Sequence, residues 1–538
     1  MEIKNKILFL ENKRWIFGSV FFAILLLLPI FTLLYKLFFI EGNSFSYLWE
    51  TILLDYTFNT FYLILLTSFF SLLFGIIPAW FISNYNFKGR GFLDVALYLP
   101  LAIPSYIMAF TYSDILSFTG PFQTFLRANF VDISETFNQD YLQIEILGII
   151  LALALYPYIY TASRVSFSLL GANYINISKN LGLSTFKIFI KVILPLSRPA
   201  IFSGLFLVLM EVLNEYGAVK YFGINTFTTG IFRAWFSMND IGTAIQLSAI
   251  LLLVVFCFFY IEKFYHSKTK FFYRINSKIQ TLSDLKLKNQ FYIILVCFIP
   301  FLLGFLVPFT FILNNVFNTF KLVDFNNLFL LTINTITVSS FSALLIVLIA
   351  LFFLYVEKFS KNKINYFISQ SISLGYAIPG AVIGLALIML VTSINDMFSS
   401  FTLLGSFYLL MYAYIIRFLA VGKSPIKSSL EKHPDSYDDT AKNLGLGPLK
   451  LLQKIHLPIN KFALITAFIV TFIDLMKELP ITLILRPFNF DTLATQTYEF
   501  AVEEMIPLSS VYSLMIILIG SILLLFLKNV INKQINVS

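Results

Sequence analysis

Two short groups of polar residues interrupt long apolar runs at matching places in the chain. Each group contains two carboxylates four residues apart, a spacing that places both on one face of a helix. An ionised group in mid-bilayer costs about 2.5 to 3.5 kcal/mol, so we expect both groups to face the interior of a helix bundle. The first group is Glu211, Asn214 and Glu215, and the second, 263 residues later, is Asp474, Lys477 and Glu478.

This pattern supports two interpretations. If a two-fold axis relates the two segments, four carboxylates and Asn214 line the outer half of a central path and offer oxygen ligands to a hard cation. Alternatively, Lys477 pairs with Asp474 and Glu478 while the other acids bond to neighbouring helices. The three histidines, at positions 266, 433 and 456, all fall in predicted cytoplasmic segments. We therefore expect no stable metal centre inside the bilayer.

The composition identifies the elements that must position these side chains. The 538 residues are 58% hydrophobic and only 12% charged, which is typical of an integral membrane protein. A membrane-spanning helix needs about 20 mostly apolar residues, so the sequence predicts an all-α protein with about twelve spans. The predicted spans cover residues 15–39, 60–82, 93–116, 142–162, 200–219, 242–261, 292–313, 327–356, 372–391, 403–420, 462–479 and 509–527.

Basic residues predict the orientation of these spans. With both termini in the cytoplasm, the cytoplasmic segments hold 31 of the 38 Lys and Arg residues but only nine of the 29 Asp and Glu residues. This distribution satisfies the positive-inside rule. The net charge of +9 therefore marks cytoplasmic loops and does not indicate a nucleic-acid partner.

The chain also repeats itself. "NTFYLILLTSFFSLL" from Asn59 resembles "NTITVSSFSALLIVL" from Asn334, and "LAIPS" at 101–105 resembles "YAIPG" at 376–380. Six spans per half give two repeats in the same orientation, a parallel arrangement. We assign residues 1–265 to the first repeat, 266–290 to a basic cytoplasmic linker and 291–538 to the second repeat.

The most similar stretches are "SKNLGLSTFKIFIKVILP" (178–195) and "AKNLGLGPLKLLQKIHLP" (441–458), which share nine of 18 residues. The second copy reads as a helix, a glycine turn at Gly445, and a second amphipathic helix that Pro458 ends, and Gly182 and Pro195 lie at the matching positions of the first copy. Helix packing alone does not require the repeated polar residues. Two equivalent partners that dock on the cytoplasmic face would explain them.

These stretches resemble the cytoplasmic signature of inner-membrane permeases of binding-protein-dependent ABC importers, in which E-A-A, a Gly and a final L-P form a coupling helix for the ATPase. Gly182 and Gly445 match the family's Gly, and Pro195 and Pro458 match its ending. The initial triplet departs from the family pattern, which implies that the two ATPase contacts are unequal. The triplet is Asn176, Ile177 and Ser178 in the first copy and Asp439, Thr440 and Ala441 in the second.

A narrower resemblance covers nearly the whole chain. The segments at 156–167, 211–237 and 476–501 are similar to the fused twelve-span permeases of ferric iron importers, which implies the MetI-like ABC permease fold. The resemblance further implies a bacterial inner-membrane location, a periplasmic binding protein that delivers Fe(III), and two copies of a separate ATPase that binds ATP and Mg. Thiamine, polyamine or anion transport within this superfamily, and an ion-coupled secondary transporter, stay open as alternatives.

A possible nucleotide site within the chain fails on spacing. "VGKSP" at 421–425 resembles part of a phosphate-binding loop, but the position five residues before Gly422 is Arg417, where that loop needs glycine. We therefore expect this chain to be no enzyme, to bind no cofactor, and to depend on a partner for ATP hydrolysis.

Overall fold

The computed structural model describes residues 2–40, 42–130, 135, 137–268, 283–284, 287–360, 363–397, 403–433 and 436–537. Helices dominate these residues. In the first half of the chain they are α1 (Glu2–Leu37), α2 (Phe45–Thr51), α3 (Leu53–Asn84), α4 (Arg90–Ala96), α5 (Ser105–Leu116), α6 (Pro121–Asn129), α7 (Ile144–Asn180), α8 (Thr185–Ile188), α9 (Leu194–Asn214), α10 (Gly217–Tyr221), α11 (Phe227–Phe232) and α12 (Ile241–Lys268).

The second half is also mainly helical. Its helices are α13 (Leu287–Phe301), α14 (Val307–Thr319), α15 (Phe325–Ser360), α16 (Lys363–Ser371), α17 (Gly380–Met397), α18 (Phe407–Leu430), α19 (Ser436–Asn443), α20 (Pro448–Leu451), α21 (Leu457–Ile459), α22 (Lys461–Met476), α23 (Pro480–Leu485), α24 (Leu493–Val502) and α25 (Ile506–Val537). Two-residue strands β1 (Tyr85–Asn86) and β2 (Ser283–Asp284) pair in parallel. Most of the predicted linker at 266–290 lies outside the described residues.

The membrane-spanning pattern agrees with the sequence prediction. Among the described residues, ten helices are long and apolar enough to cross a membrane, and up to twelve if each of two bent helix pairs forms one span. The bent pairs join Arg90–Ala102 to Ser105–Asn129 at 93° and Pro448–Ile459 to Lys461–Met476 at 76°. They correspond to the predicted spans at 93–116 and 462–479. The chain is a multi-pass membrane protein.

Prolines determine where several helices bend. Ile103 and Ile378, each just before a proline, have extended backbones with ψ of 112° and 125°. Proline sterically disfavours the helical conformation of the preceding residue, so the helix stops at these two matching positions.

Three other prolines follow a wide π-helical turn. These turns are Phe189–Ile193, Leu302–Leu306 and Leu452–His456, and each ends two residues before a proline. Proline lacks the N–H for the usual helical bond, and a π turn absorbs that loss. At Pro195 the chain stays helical, from Thr185 to Asn214. At Pro458 the helix continues one residue further, to Ile459.

The chain forms two compact units. The first-half unit consists of Gly42–Asp324 and Gln496–Ser521. It contains α13 and α14, the opening span of the second half. Gly304, in the π turn between them, lies so close to α7 that a Cβ atom there would be 2.9 Å from the Leu153 carbonyl oxygen.

The second-half unit consists of Met1–Glu41, Phe325–Thr495 and Ile522–Ser538. It contains α1, the opening span of the first half. The Trp15 ring lies 6.1 Å from the Phe352 ring of α15, and Ser19 Oγ donates a 3.0 Å hydrogen bond to Asn365 Oδ1 of α16. Each opening span therefore packs within the unit built mainly from the other half. The division of the sequence at 265 and 291 stays a prediction about the repeats.

Candidate functional site

The first acidic position lies where α9 ends. Asn214 is its last residue, and Glu215 has an extended backbone with ψ of 121°. The Glu215 side chain is 8% exposed. Its Oε1 atom accepts a 3.0 Å hydrogen bond from the Ala218 backbone N–H, and its Oε2 atom accepts one from Ser105 Oγ. A carboxylate that accepts from the first turn of a helix stabilises that turn, so Glu215 caps α10.

The second acidic position repeats this geometry. Helix α22 ends at Met476, and Glu478 Oε1 accepts a 3.1 Å hydrogen bond from the Ile481 backbone N–H. The Thr482 hydroxyl donates to the Glu478 carbonyl oxygen at 2.8 Å, as the Thr228 hydroxyl does to the Glu215 carbonyl at 2.9 Å. Both glutamates therefore lie at a break between two helices, and each caps the short helix that follows.

The two glutamates differ in the group that holds the second carboxylate oxygen. Arg417 Nε of α18 lies 3.6 Å from Glu478 Oε2, and both side chains are almost fully buried. Arg417 Nη1 also donates a 2.9 Å hydrogen bond to the Ile378 carbonyl, in the segment before α17. In the first half the corresponding oxygen accepts from a neutral hydroxyl, that of Ser105. The second break is thus stabilised by a buried ion pair, and the first by a hydrogen bond to a neutral donor.

Among the remaining members of the two groups, Glu211 and Asp474 lie one turn before the glutamates, and Asn214 and Lys477 directly precede them. Lys477 Nζ is 2.9 Å from Asp474 Oδ1, so these side chains form an ion pair. Glu211 is partly buried in α9, and Asn214 is buried at its end. Each helix ends before its second glutamate, and the placement of both acids of a pair on one helix face stays a prediction. A common path lined by the four carboxylates stays a prediction.

The repeated stretches form matching elements, which we name the first repeated element (residues 174–195) and the second repeated element (residues 437–458). Gly182 and Gly445 have φ of +76° and +77°. This left-handed conformation is easiest for glycine. The Leu183 N–H donates to the Ser178 carbonyl at 3.1 Å, and the Leu446 N–H donates to the Ala441 carbonyl at 3.0 Å. Both turns therefore terminate a helix in the same way.

The predicted triplets occupy equivalent environments. The third members, Ser178 and Ala441, are buried, and the first two members of each triplet are exposed. Around them, three pairs of large side chains are exposed at equivalent positions. These pairs are Tyr174 with Tyr437, Leu181 with Leu444, and Phe186 with Leu449.

A model of one protein family matches most of the chain. The model, described as "Binding-protein-dependent transport system inner membrane component", matches residues 71–270 and 354–536, one match in each half. The chain belongs to this family. The two matches agree with the parallel repeat and with the duplicated Gly-turn elements.

Two individual proteins are also similar to this permease in sequence. The Fe(3+)-transport system permease protein FbpB 2 of Haemophilus influenzae is 26% identical over 479 residues, which cover 87% of this chain and 88% of the relative. The sulfate transport system permease protein CysT of Escherichia coli is 30% identical over 212 residues, which cover 38% of this chain and 72% of the relative. The first match therefore includes both halves of the permease, whereas the second has the length of about one half.

Sequence reasoning missed the buried Arg417. Its spacing from Gly422 was the only property considered in the sequence, whereas the structure places it inside α18 and almost fully buried. A single arginine in the apolar run "YIIRFLAV" was the available signal, because a buried charge needs a partner. Among the described residues, no group of three His, Cys, Asp or Glu side chains is arranged to hold a metal ion.

Proposed function

We propose that this permease is the membrane subunit of an ATP-driven importer that moves ferric iron into the bacterial cytoplasm. In this proposal it lies in the inner membrane with both termini in the cytoplasm, and a periplasmic binding protein delivers the iron. Two copies of a separate ABC ATPase bind the two repeated elements. The observation that carries the proposal is the matched exposure of apolar side chains on those elements.

The exposed side chains support protein docking. Leu181 and Leu444 are 75% and 76% exposed, and both lie in segments that the positive-inside rule assigns to the cytoplasm. Burying one leucine side chain contributes about 1.5 to 3 kcal/mol, so covering these residues with a partner is favourable. Because the same positions are exposed in both halves, two copies of one partner suit the surface better than one asymmetric partner.

The division of labour follows from the same arrangement. The ATPase would bind ATP and Mg, and this chain would bind no cofactor and catalyse no reaction. Closure of the ATPase pair would move the two repeated elements and switch the bundle between outward and inward access. The exposed Asp439 and Asn176 differ in charge at equivalent positions, so we propose that the two ATPase contacts are unequal.

Iron is the cargo best supported by the relatives and by the buried acids. The iron-transport relative aligns with 87% of the chain. Glu215, whose Oε2 atom accepts from the neutral Ser105 hydroxyl, places carboxylate oxygens at the first helix break, and such oxygens suit a hard cation. Fe(III) would pass these positions as a transported substrate, without a resident metal centre.

Sulfate is the second candidate, because the CysT relative is 30% identical over its matched region. The iron-transport relative aligns with 87% of this chain and the sulfate relative with 38%, which favours iron over this cargo. Thiamine or a polyamine would also require an ATPase, whereas an ion-coupled secondary transporter would not.

The direct test is uptake by proteoliposomes that contain the permease, its ATPase and its loaded binding protein. We expect radiolabelled Fe(III) to accumulate only with ATP and the ATPase present. Accumulation of sulfate in place of iron would contradict the cargo, and ATP-independent uptake by the permease alone would contradict the mechanism.

The role of the acids is tested by Glu215→Gln and Glu211→Gln. Glutamine keeps a carbonyl oxygen that can cap α10 but removes the charge, so we expect assembly to persist while iron uptake falls about tenfold, equivalent to about 1.4 kcal/mol. The exposed Glu503→Gln is the matched control. Normal uptake by both variants in a correctly assembled complex would exclude a cation path along these residues.

A further inference from the structure

A buried polar cluster lies behind the second repeated element. Asp438 of α19 holds the cluster together: its Oδ1 atom lies 2.9 Å from His456 Nε2, and its Oδ2 atom lies 3.1 Å from Lys358 Nζ. Asp438 and His456 are both buried. Lys358 belongs to the last turn of α15, a membrane-spanning helix. One carboxylate therefore connects the helix before the Gly445 turn, the helix after it, and a span.

A second contact reinforces this connection. Tyr355, three residues before Lys358 on α15, lies edge-on to the His456 ring with centroids 6.0 Å apart. Its hydroxyl donates a hydrogen bond to the Pro448 carbonyl, just after the Gly445 turn. The second repeated element is thus attached to α15 through both of its helices.

In the first repeated element, apolar side chains make the corresponding contact with a membrane-spanning helix, α3. Ile175 and Ile193 occupy the positions of Asp438 and His456, and both are buried in one cluster with Trp80. Trp80, at the position of Tyr355, packs on Phe189 with ring centroids 4.9 Å apart. Ser83 of α3 occupies the position of Lys358.

This difference shows that the fold does not require charges at these positions. Buried ion pairs are often no more stabilising than apolar groups of similar size, but removing one partner leaves an uncompensated charge. Either a complete charge cluster or apolar packing can therefore join a repeated element to a span, whereas a cluster that has lost one partner disrupts this connection.

We propose that Asp438 is a positioning residue that couples the second repeated element to α15 through His456 and Lys358. Force from an ATPase at the Gly445 turn then reaches a membrane-spanning helix directly. This inference rests on the proposed function, since it assumes that the ATPase binds the repeated elements.

The test measures transported cargo per ATP hydrolysed in proteoliposomes that contain the complete importer. In Asp438→Asn we expect this ratio to fall at least about fivefold while ATP hydrolysis and assembly change less than about twofold. Glu431→Gln is the control. Glu431 is exposed, lies seven residues before Asp438, and pairs with Lys427 at 3.8 Å. We expect it to behave as the unmodified chain.

A rescue variant separates positioning from simple destabilisation. Lys358→Ser, Asp438→Ile and His456→Ile together give the second half the residues of the first and leave no charge unpaired. We expect this triple variant to recover the ratio to within about twofold of the unmodified chain.

The outcomes are distinct. A wild-type ratio in Asp438→Asn, or a parallel loss of hydrolysis, assembly and uptake without recovery in the triple variant, overturns the positioning role alone. An unmodified chain that binds no ATPase overturns both the proposed function and this inference.

Discussion

The two repeated elements present the same surface but are supported from within by different chemistry. On the outside, both have a glycine turn with φ near +76° and exposed leucines at equivalent positions. On the inside, the first element begins at the end of the 37-residue helix α7, and its Phe189 packs on Trp80. The second element begins in the separate eight-residue helix α19, which contains Asp438 and contacts Lys358 through it. A shared partner would constrain the outer surface, while the buried face needs only some complementary packing.

The two helix breaks also share their local geometry but differ in their supporting contacts. Glu215 and Glu478 make the same capping bond to the N–H three residues later, but Ser105 supports one and Arg417 supports the other. The duplicated feature is again the local geometry. The long-range support differs between the halves.

The prediction with the largest expected effect concerns Arg417 and Ser105, which contact the glutamates at the two helix breaks. Arg417→Ala leaves the buried Glu478 carboxylate without this cation, so we expect a loss of about 3 to 5 kcal/mol in the free energy of unfolding. Ser105→Ala removes one hydrogen bond from Glu215, for which we expect about 1 to 3 kcal/mol. Thermal unfolding of the detergent-solubilised chain measures both.

A double variant keeps this prediction testable if Arg417→Ala does not fold. Arg417→Met with Glu478→Gln removes both charges, and we expect it to be more stable than Arg417→Ala alone. Equal effects of Arg417→Ala and Ser105→Ala would contradict the difference between the two breaks.

The next effect tests the shared geometry of the turns. Gly182→Val and Gly445→Val place a β-branched residue at positive φ, which costs about 1 to 2 kcal/mol, so each turn should be distorted and uptake reduced. Gly447→Ala is the control, because Gly447 has an ordinary φ of −72° and no atom within 4 Å of an added Cβ. Intact ATPase association and uptake in both valine variants would refute the docking assignment.

The smallest effect tests whether the exposed surfaces are equivalent. Leu181→Ala and Leu444→Ala should each weaken ATPase binding by about 1 kcal/mol, roughly fivefold in Kd. Binding of the purified ATPase to the permease in nanodiscs measures this change. An effect in only one half would show that the partner uses the two elements differently.

Local signals made much of this protein predictable. The apolar runs indicated about twelve spans, and the Gly182 and Gly445 turns followed from glycine at the end of a helical pattern. The four-residue spacing of the acids assumed a helix that continues, whereas α9 and α22 end at Asn214 and Met476. The capping bonds that accompany these ends involve residues beyond the periodic segment.

The sequence by itself determined the membrane class, the parallel repeat, the family resemblance and the paired glycine turns, because hydropathy, charge placement and backbone freedom act over a few residues. Only the tertiary structure decided that α1 packs with Phe352 and Asn365, that Arg417 meets Glu478, and that Asp438 joins His456 to Lys358. These contacts join residues far apart in the chain. Helix packing brings them together, and no local periodicity encodes which buried charge meets which partner.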